Sequence, residues 1–427
     1  MVMTVWEQCN NAYLAPEQIR RQPPIGAVFA ATHHLIRMDD RLSETGHGTR
    51  RRPSINPGDP MKIAIVHYWL VGMRGGEKVL ESLCRLYPDA DIFTHAYDPA
   101  AVSATIKAHK VQTSFISRLP FATRRYRSYL PLMPLALEQL DLRGYDLVVS
   151  SESGPAKGVI PPPGALHVCY CHSPMRYVWN MFHDYRDRSG PITRLLMPPL
   201  SHYIRSWDVV SAARVHSFVA NSRTVARRLK TYYGRDSTVI YPPVAVQDFS
   251  PVAAGDVGDF WLMVGELVPY KRPELAVEAF NRSGKKLVVI GGGEMLARLR
   301  AIAKPNVAIL GPQPFETLKR NYARCRALIF PGEEDFGIVP VEAMASGRPV
   351  IAYGRGGATE SVIDGVSGVF FERQTVEDIL DAVERCEALR LEPPAIVAQA
   401  RNFSSETFET RMKAYVDRAL AEFHAAT

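Results

Sequence analysis

The chain reads as two consecutive α/β domains, each built on a doubly wound parallel sheet, with their binding edges facing one cleft. Short apolar runs alternate with helical patterns from Met61 onward. The alternation occurs twice, interrupted by one stretch rich in Pro, Gly and Asp. Strands covered on both faces read as continuous apolar runs, and the helices between them do the covering. Length agrees, since 427 residues make two ordinary domains plus a tail.

Residues 1–60 differ from the remainder of the chain, with Pro-Pro, Arg-Arg and Arg50-Arg51-Arg52 and little apolar periodicity. They are expected to be a disordered extension, with Met61 opening the folded unit. The first series predicts strands at 62–69, 91–97, 146–150, 166–171 and 217–221, in a domain over 61–243. Residues 244–258 carry Pro251, two glycines and two aspartates and read as a linker. The second series predicts strands at 260–265, 286–290, 307–310, 327–330 and 349–352. Its helices are expected at 273–281, 294–303, 316–323 and 340–346, in a domain over 259–404. Residues 405–427 have helical apolar spacing and are expected to cross back to the first domain. In open α/β sheets ligands bind beyond the carboxyl ends of the strands. Two such edges across one cleft suit a reaction that joins two substrates.

Composition excludes several classes. Hydrophobic residues make 46% and charged residues 22%, as in soluble globular chains. No window holds the roughly 20 apolar residues of a membrane span. Residues 22–36 contain Pro-Pro, His-His and Gln, a poor signal-peptide core. Six scattered cysteines are few for a disulfide framework, so a reducing, cytoplasmic setting is expected. Cys169, Cys171 and His172 lie close in sequence, but no second ligand cluster accompanies them and no metal site is expected. Between Lys110 and Lys230 there are 17 Lys/Arg and 7 Asp/Glu, net +10 in a chain of net +7. That local excess fits an anionic membrane surface, nucleic acid, a phosphorylated substrate or an ordinary solvated face.

Four loops carry candidate chemistry. After the first strand comes Val71-Gly72-Met73-Arg74-Gly75-Gly76-Glu77, then a helix. Gly75 and Gly76 let the backbone approach a phosphate or sugar at a helix N-terminus, or they form a simple strand-to-helix turn. The spacing is not that of the dinucleotide fingerprint. His172, in His172-Ser173-Pro174-Met175-Arg176, leaves a strand end where the crevice should lie; it can bond a sugar, shuttle a proton or serve packing. In the second domain, Glu266-Leu267-Val268-Pro269-Tyr270-Lys271-Arg272 follows a strand. Lys271 and Arg272 can neutralise a diphosphate or be solvated cations. Glu333-Glu334-Asp335-Phe336-Gly337-Ile338-Val339 then opens a helix that carries Glu342. A carboxylate accepts paired hydroxyl hydrogen bonds, so Glu334 and Glu342 can grip two different polyols. One Glu at a helix start can also merely offset the macrodipole.

From Met61 on, the chain closely resembles retaining glycosyltransferase family 4, of the GT-B fold. The resemblance rests on Glu334 and Glu342 with seven residues between them, on Ala343-Met344-Ala345-Ser346-Gly347-Arg348-Pro349-Val350, and on Gly356-Gly357-Ala358-Thr359-Glu360. It implies catalytic roles for His172, Glu334 and Lys271. Glu334 and the N–H groups of Phe336, Gly337 and Ile338 would hold the donor sugar, with Val339 beside them. Glu342 would bind the ribose, Lys271 and Arg272 the diphosphate, Gly75 and Gly76 the phosphate from the opposite domain, and Gly311 and Pro312 the base. Family members often carry Arg at the position of Glu266, which the resemblance otherwise places among the donor contacts. Arg272 or Arg348 is then expected to compensate, or Glu266 to point away. No Asp-x-Asp motif is present in the right place, which fits metal-independent transfer; the resemblance implies a nucleotide-sugar co-substrate, with no metal or other cofactor expected.

The wording of the Lys271 and Glu334 segments resembles bacterial mannosyltransferases of surface polysaccharide assembly. GDP-mannose is the first donor this implies, a UDP-sugar the next. The implied acceptor is a glycan, often polyprenyl-diphosphate-linked at the inner membrane face, and the partner is not nucleic acid. Residues 118–135 mix Arg118, Arg124, Arg125 and Arg127 with apolar residues. They are expected either to touch an anionic membrane peripherally or to pack on the first domain. The rival readings are a phosphorylase, for which no pyridoxal phosphate lysine stands out, an epimerase, and a catalytically silent sugar-binding subunit.

Overall fold

The computed structural model describes residues 61–426. The extension expected over 1–60 lies outside the described residues. The first sheet contains β1 (Ile63–His67), β2 (Asp91–Thr94), β3 (Val111–Thr113), β4 (Leu147–Glu152), β5 (Leu166–Cys171), β6 (Ser217–Ala220) and β7 (Ser237–Val239). Its order is β3-β2-β1-β4-β5-β6-β7 and every pairing is parallel. The second contains β8 (Trp261–Val264), β9 (Leu287–Ile290), β10 (Val307–Gly311), β11 (Leu328–Phe330), β12 (Val350–Tyr353) and β13 (Gly368–Phe371). Its order is β10-β9-β8-β11-β12-β13, again all parallel. The predicted class, two doubly wound parallel-sheet domains, is the one observed.

Three strands escaped the sequence reading: β3, β7 and β13. All three are sheet edges. An edge strand has one neighbour and can be short and half exposed, so its apolar signal is weak. Interior strands show the opposite. In β1, Ala64 and Val66 pack into one layer and Ile65 into the other, all fully buried. Val66 and Ile65 each contribute about 1.5–3 kcal/mol when withdrawn from water, and the Ala64 methyl less.

Seven helices bear on the site: α1 (Gly75–Leu86), α2 (Pro191–Ala212), α3 (Arg223–Tyr233), α4 (Pro273–Ser283), α5 (Ile338–Ala345), α6 (Ala358–Ser361) and α7 (Ser405–Ala426). Helix α7 lays Phe408, Met412 and Val416 into the core of the first domain, beside Ile65, Leu80 and Tyr170. The stretch between the domains is not a bare tether. Val244 N donates to Phe403 O at 2.9 Å, and Phe249 is buried against Tyr322.

In the segment 118–135 the structure favours packing over exposure. Tyr126, Tyr129, Leu130 and Met133 are buried; the last three join Met175, Phe182 and Met197 in one cluster. Phe121, Leu132 and Leu135 stay exposed. A larger exposed apolar surface lies on α2. Ile192, Leu195, Tyr203, Val209 and Val210 all face outward, and Leu195 is 76% exposed. No helix among the described residues is long and apolar enough to cross a membrane.

Candidate active site

In the second domain the Lys271 loop and the Glu334 loop leave the ends of β8 and β11, neighbouring strands, and meet. Lys271 Nζ lies 2.8 Å from Glu334 Oε1. Burial would lower the ammonium's pKa, but Glu334 beside it pushes it above the usual lysine range. The cation and the acid therefore pair across the site, although Glu334 Oε1 accepts no hydrogen bond of good geometry among the described residues. Helix α5 opens at Ile338 with Gly337 as its cap residue and no side-chain cap. Its first N–H groups are left for a ligand, and its dipole favours an anion there. Glu342, one turn in, accepts a hydrogen bond from Tyr322 Oη at 2.8 Å. Burial pushes the Glu342 carboxyl up, and the tyrosine opposes it.

The Phe336 ring is not a site residue. It is buried, stacked on Tyr241 with centroids 5.6 Å apart and packed on Phe403. What Phe336 offers is its backbone. Gly357 shapes that backbone: a Cβ there would stand 2.2 Å from Phe336 Cα. Val339 is half-buried in the first turn of α5. Gly311 ends β10 and accepts from Gly291 N at 3.0 Å, with Pro312 packed against Gly292. The Gly291-Gly292-Gly293 run after β9 was not singled out from sequence. Leu267 N donates to Gly292 O at 2.7 Å, so this run backs the Lys271 loop. Three glycines directly after a strand were the available signal.

Two expected compensations for Glu266 fail. Arg348 is buried and its Nε donates to Ala323 O at 2.8 Å, which ties it to the helix before β11. Arg272 pairs with Glu274 of α4 at 2.9 Å. Arg348 is committed to local structure, and Arg272 is ion-paired although its Nε makes no hydrogen bond of good geometry among the described residues. Glu266 lies near enough for its charge to act weakly on both Tyr270 and Lys271.

The first domain forms the other wall. At the start of α1, Gly75 meets Ile338 of α5, with an added Cβ 3.0 Å from Ile338 Cδ1. Gly76 makes room for Tyr68, whose hydroxyl a Cβ would meet at 2.1 Å. Glu77 closes the helix start by accepting from Arg74 N at 2.9 Å and lies 3.8 Å from buried His67. His172 follows β5. Its Nε2 lies 2.9 Å from Ser151 Oγ, and burial pushes its pKa down to about 3. It is therefore neutral near pH 7. That suits a hydrogen bond to a hydroxyl better than a proton shuttle. Cys169 and Cys171 are interior residues of β5.

The walls are joined by contacts that sequence reasoning missed. Asp335, between Glu334 and Phe336, pairs with Arg228 of α3 and lies 3.7 Å from Arg176. Burial would raise its carboxyl, but these two guanidiniums hold it below the usual range. Arg176 also sits over the Tyr270 ring, 5.1 Å from the centroid. Glu360 of α6 caps α3 from the other domain, accepting from Arg223 N at 2.7 Å and Thr224 N at 3.1 Å. No sequence pattern marks partners so far apart in the chain.

Residues 73–248 match the model of Glycosyltransferase Family 4, and residues 251–403 match that of Glycosyl transferases group 1. A D-inositol 3-phosphate glycosyltransferase of Nocardia farcinica is 30% identical over 53% of this chain and 58% of its own length. One of Acidothermus cellulolyticus is 32% identical over 51% of this chain and 56% of its own. The chain thus spans somewhat over half the length of these curated relatives. The Anabaena protein Alr3699/HepE, solved with UDP-glucose, superposes with a TM-score of 0.62 at 17% identity, covering 83% of this chain and 99% of that one. At that identity the likeness speaks for the fold. The two parallel-sheet domains fit the GT-B fold, and the two family matches, one per domain, support a glycosyltransferase of the family 4 type.

Proposed function

We propose that this chain, with a Family 4 match in its first domain and a group 1 match in its second, transfers a hexose from a nucleoside diphosphate sugar to a glycan acceptor with retention at the anomeric carbon. The observation that carries this reading is the Lys271–Glu334 pair, 2.8 Å apart beside the open start of α5. A donor would divide that pair. Its diphosphate takes Lys271 and the α5 N–H groups, and its sugar hydroxyls take Glu334. Glu342 takes the ribose diol, oriented by Tyr322.

In the reaction the bond from the anomeric carbon to the diphosphate oxygen breaks, and the electron pair leaves with the diphosphate. The acceptor oxygen bonds to the same face of that carbon, and its proton passes to the leaving phosphate oxygen. Lys271 and the helix start stabilise the charge that develops on the leaving group. Neutral His172 hydrogen-bonds the sugar. No metal enters this proposal, because cationic side chains and N–H groups perform the neutralisation.

GDP-mannose is the first donor to test and a UDP-hexose the second, the latter being the ligand class of Alr3699/HepE. A thermal-shift screen decides between them. A donor at a hundred times its Kd adds about 2.7 kcal/mol of stability. Radiolabel transfer into a lipid extract then identifies the acceptor, for which a polyprenyl-diphosphate-linked glycan is proposed. No shift with any GDP- or UDP-hexose, nor with GDP or UDP, sinks the reading.

The outward face of α2 favours a peripheral position at the inner face of an anionic membrane. Ile192, Leu195, Tyr203 and Val210 recur there at helical spacing without a carboxylate among them, in the part of the chain with net +10. Flotation with phosphatidylglycerol vesicles at low salt tests it. Wild type should float and Leu195→Glu should not; equal behaviour of the two removes α2 from the membrane.

A further inference from the structure

The diphosphate in the proposed reaction needs more positive charge than Lys271 alone, because Lys271 is shared with Glu334 and flanked by Glu266. Arg272 and Arg348 are held elsewhere. Two further cations at this point come from the opposite domain, Arg228, which is paired closely with Asp335, and Arg176. Arg176 leaves the β5 segment five residues after Cys171 and lies over Tyr270, 5.1 Å from the ring centroid. Its Nη1 is 3.7 Å from Asp335 Oδ2. Tyr270 and Asp335 are the chain neighbours of Lys271 and Glu334, so Arg176 stands beside the same two loops from across the cleft.

Arg176 is also under-used. Its Nε is buried and has no hydrogen-bond partner among the described residues. Its one ion pair is long, and Asp335 already has a closer partner in Arg228, whose Nη1 also reaches Ser173 Oγ at 3.2 Å. A guanidinium that is mostly withdrawn from water, held over an aromatic face and short of acceptors is a poor structural ion pair and a good receptor for phosphate oxygens.

We infer that Arg176 is a donor-binding residue delivered by the acceptor-side domain, its guanidinium taking phosphate oxygens of the nucleoside diphosphate opposite Lys271 in place of the cation missing at position 266. This rests on the proposed nucleoside diphosphate sugar as donor. It adds a consequence: the second cation is in place only while the domains are closed, so leaving-group stabilisation follows closure.

The test compares nucleoside diphosphate with monophosphate binding, using GDP and GMP or UDP and UMP by titration calorimetry. Wild type should prefer the diphosphate. Arg176→Gln should lower that preference at least tenfold with the melting profile retained, and lower kcat by about a hundredfold. Arg176→Lys should recover part of it, since a point charge replaces a fork. Asp335→Asn, which loosens the contact with Arg228, should leave the preference within twofold. An unchanged preference in both Arg176 variants overturns the inference and leaves the proposed function standing. So does an Asp335→Asn loss as large as that of Arg176→Gln, because Arg176 is then only a domain latch. A wild type that binds neither diphosphate overturns both.

Discussion

On the C-terminal wall of the cleft, charge sits in one loop-and-helix unit where a ligand can take it. Lys271 meets Glu334, and Glu342 waits one turn further on. On the N-terminal wall, one buried charge network is already answered within the protein. Lys157 is fully buried between Glu152 and Asp208, and Asp208 also receives Trp179 Nε1 at 2.8 Å and Tyr233 Oη at 2.7 Å. His95 and His167 are buried and His172 is partly buried, and withdrawal from water pushes all three pKa values down to about 3. The difference teaches that one wall gathers charge for the donor while the other holds an internal charge network and sends a few arginines across. Residues 244–404 contain no histidine at all, so the two walls should also answer differently to pH.

The largest expected effect tests the internal network. Lys157→Met leaves two acids buried without their cation and should cost about 3–5 kcal/mol. In a domain of this size that lowers Tm by roughly 10 °C. Calorimetry that shows a melt unchanged within a degree would make the network ornamental. Next, Glu334→Gln should cut kcat about 10²–10³-fold with little change in melting, because the group acts on ligand and not on the core. If the melt falls instead and transfer per folded molecule persists, the C-terminal pair is structural after all.

The pH response sharpens the contrast. His95, His167 and His172 titrate lower in the folded state than the ordinary value of about 6.5, so the unfolded chain binds more protons below that pH. Their stability contribution is intact above pH 6.5 and is lost as pH falls toward 3. From pH 6.5 to 5.5 the loss is about 1 kcal/mol for each residue, about 3 kcal/mol together. Hydrogen exchange should show the first domain loosening first on acidification; uniform loosening breaks the comparison. The smallest effect concerns the seam. Glu360→Gln weakens the cap that one domain places on α3 of the other and should cost about 1 kcal/mol, a Tm change of a few degrees. Diphosphate preference should stay as in wild type.

Much of the C-terminal wall was legible in the sequence because its chemistry is local. Lys271, Glu334, Gly337 and Glu342 stand in segments that read directly as strand, loop and helix start. The N-terminal wall was harder. His172 was singled out from its strand-end position, but its neutrality follows from burial that no local pattern reveals. Arg272 and Arg348 read as free cations, and each is committed to a partner brought near only by folding.

By itself the sequence determined the two parallel-sheet domains, the interior strands and the acidic loop that opens α5. Periodicity and turn chemistry act over a few residues, and those features depend on nothing more distant. Only the tertiary structure decided the edge strands β3, β7 and β13, the pairing of Asp335 with Arg228, the cap of Glu360 on α3 and the placement of Arg176 over Tyr270. Each of those joins residues separated by many positions, and which one meets which is set by how the sheets and domains pack, a quantity that no window of the chain contains.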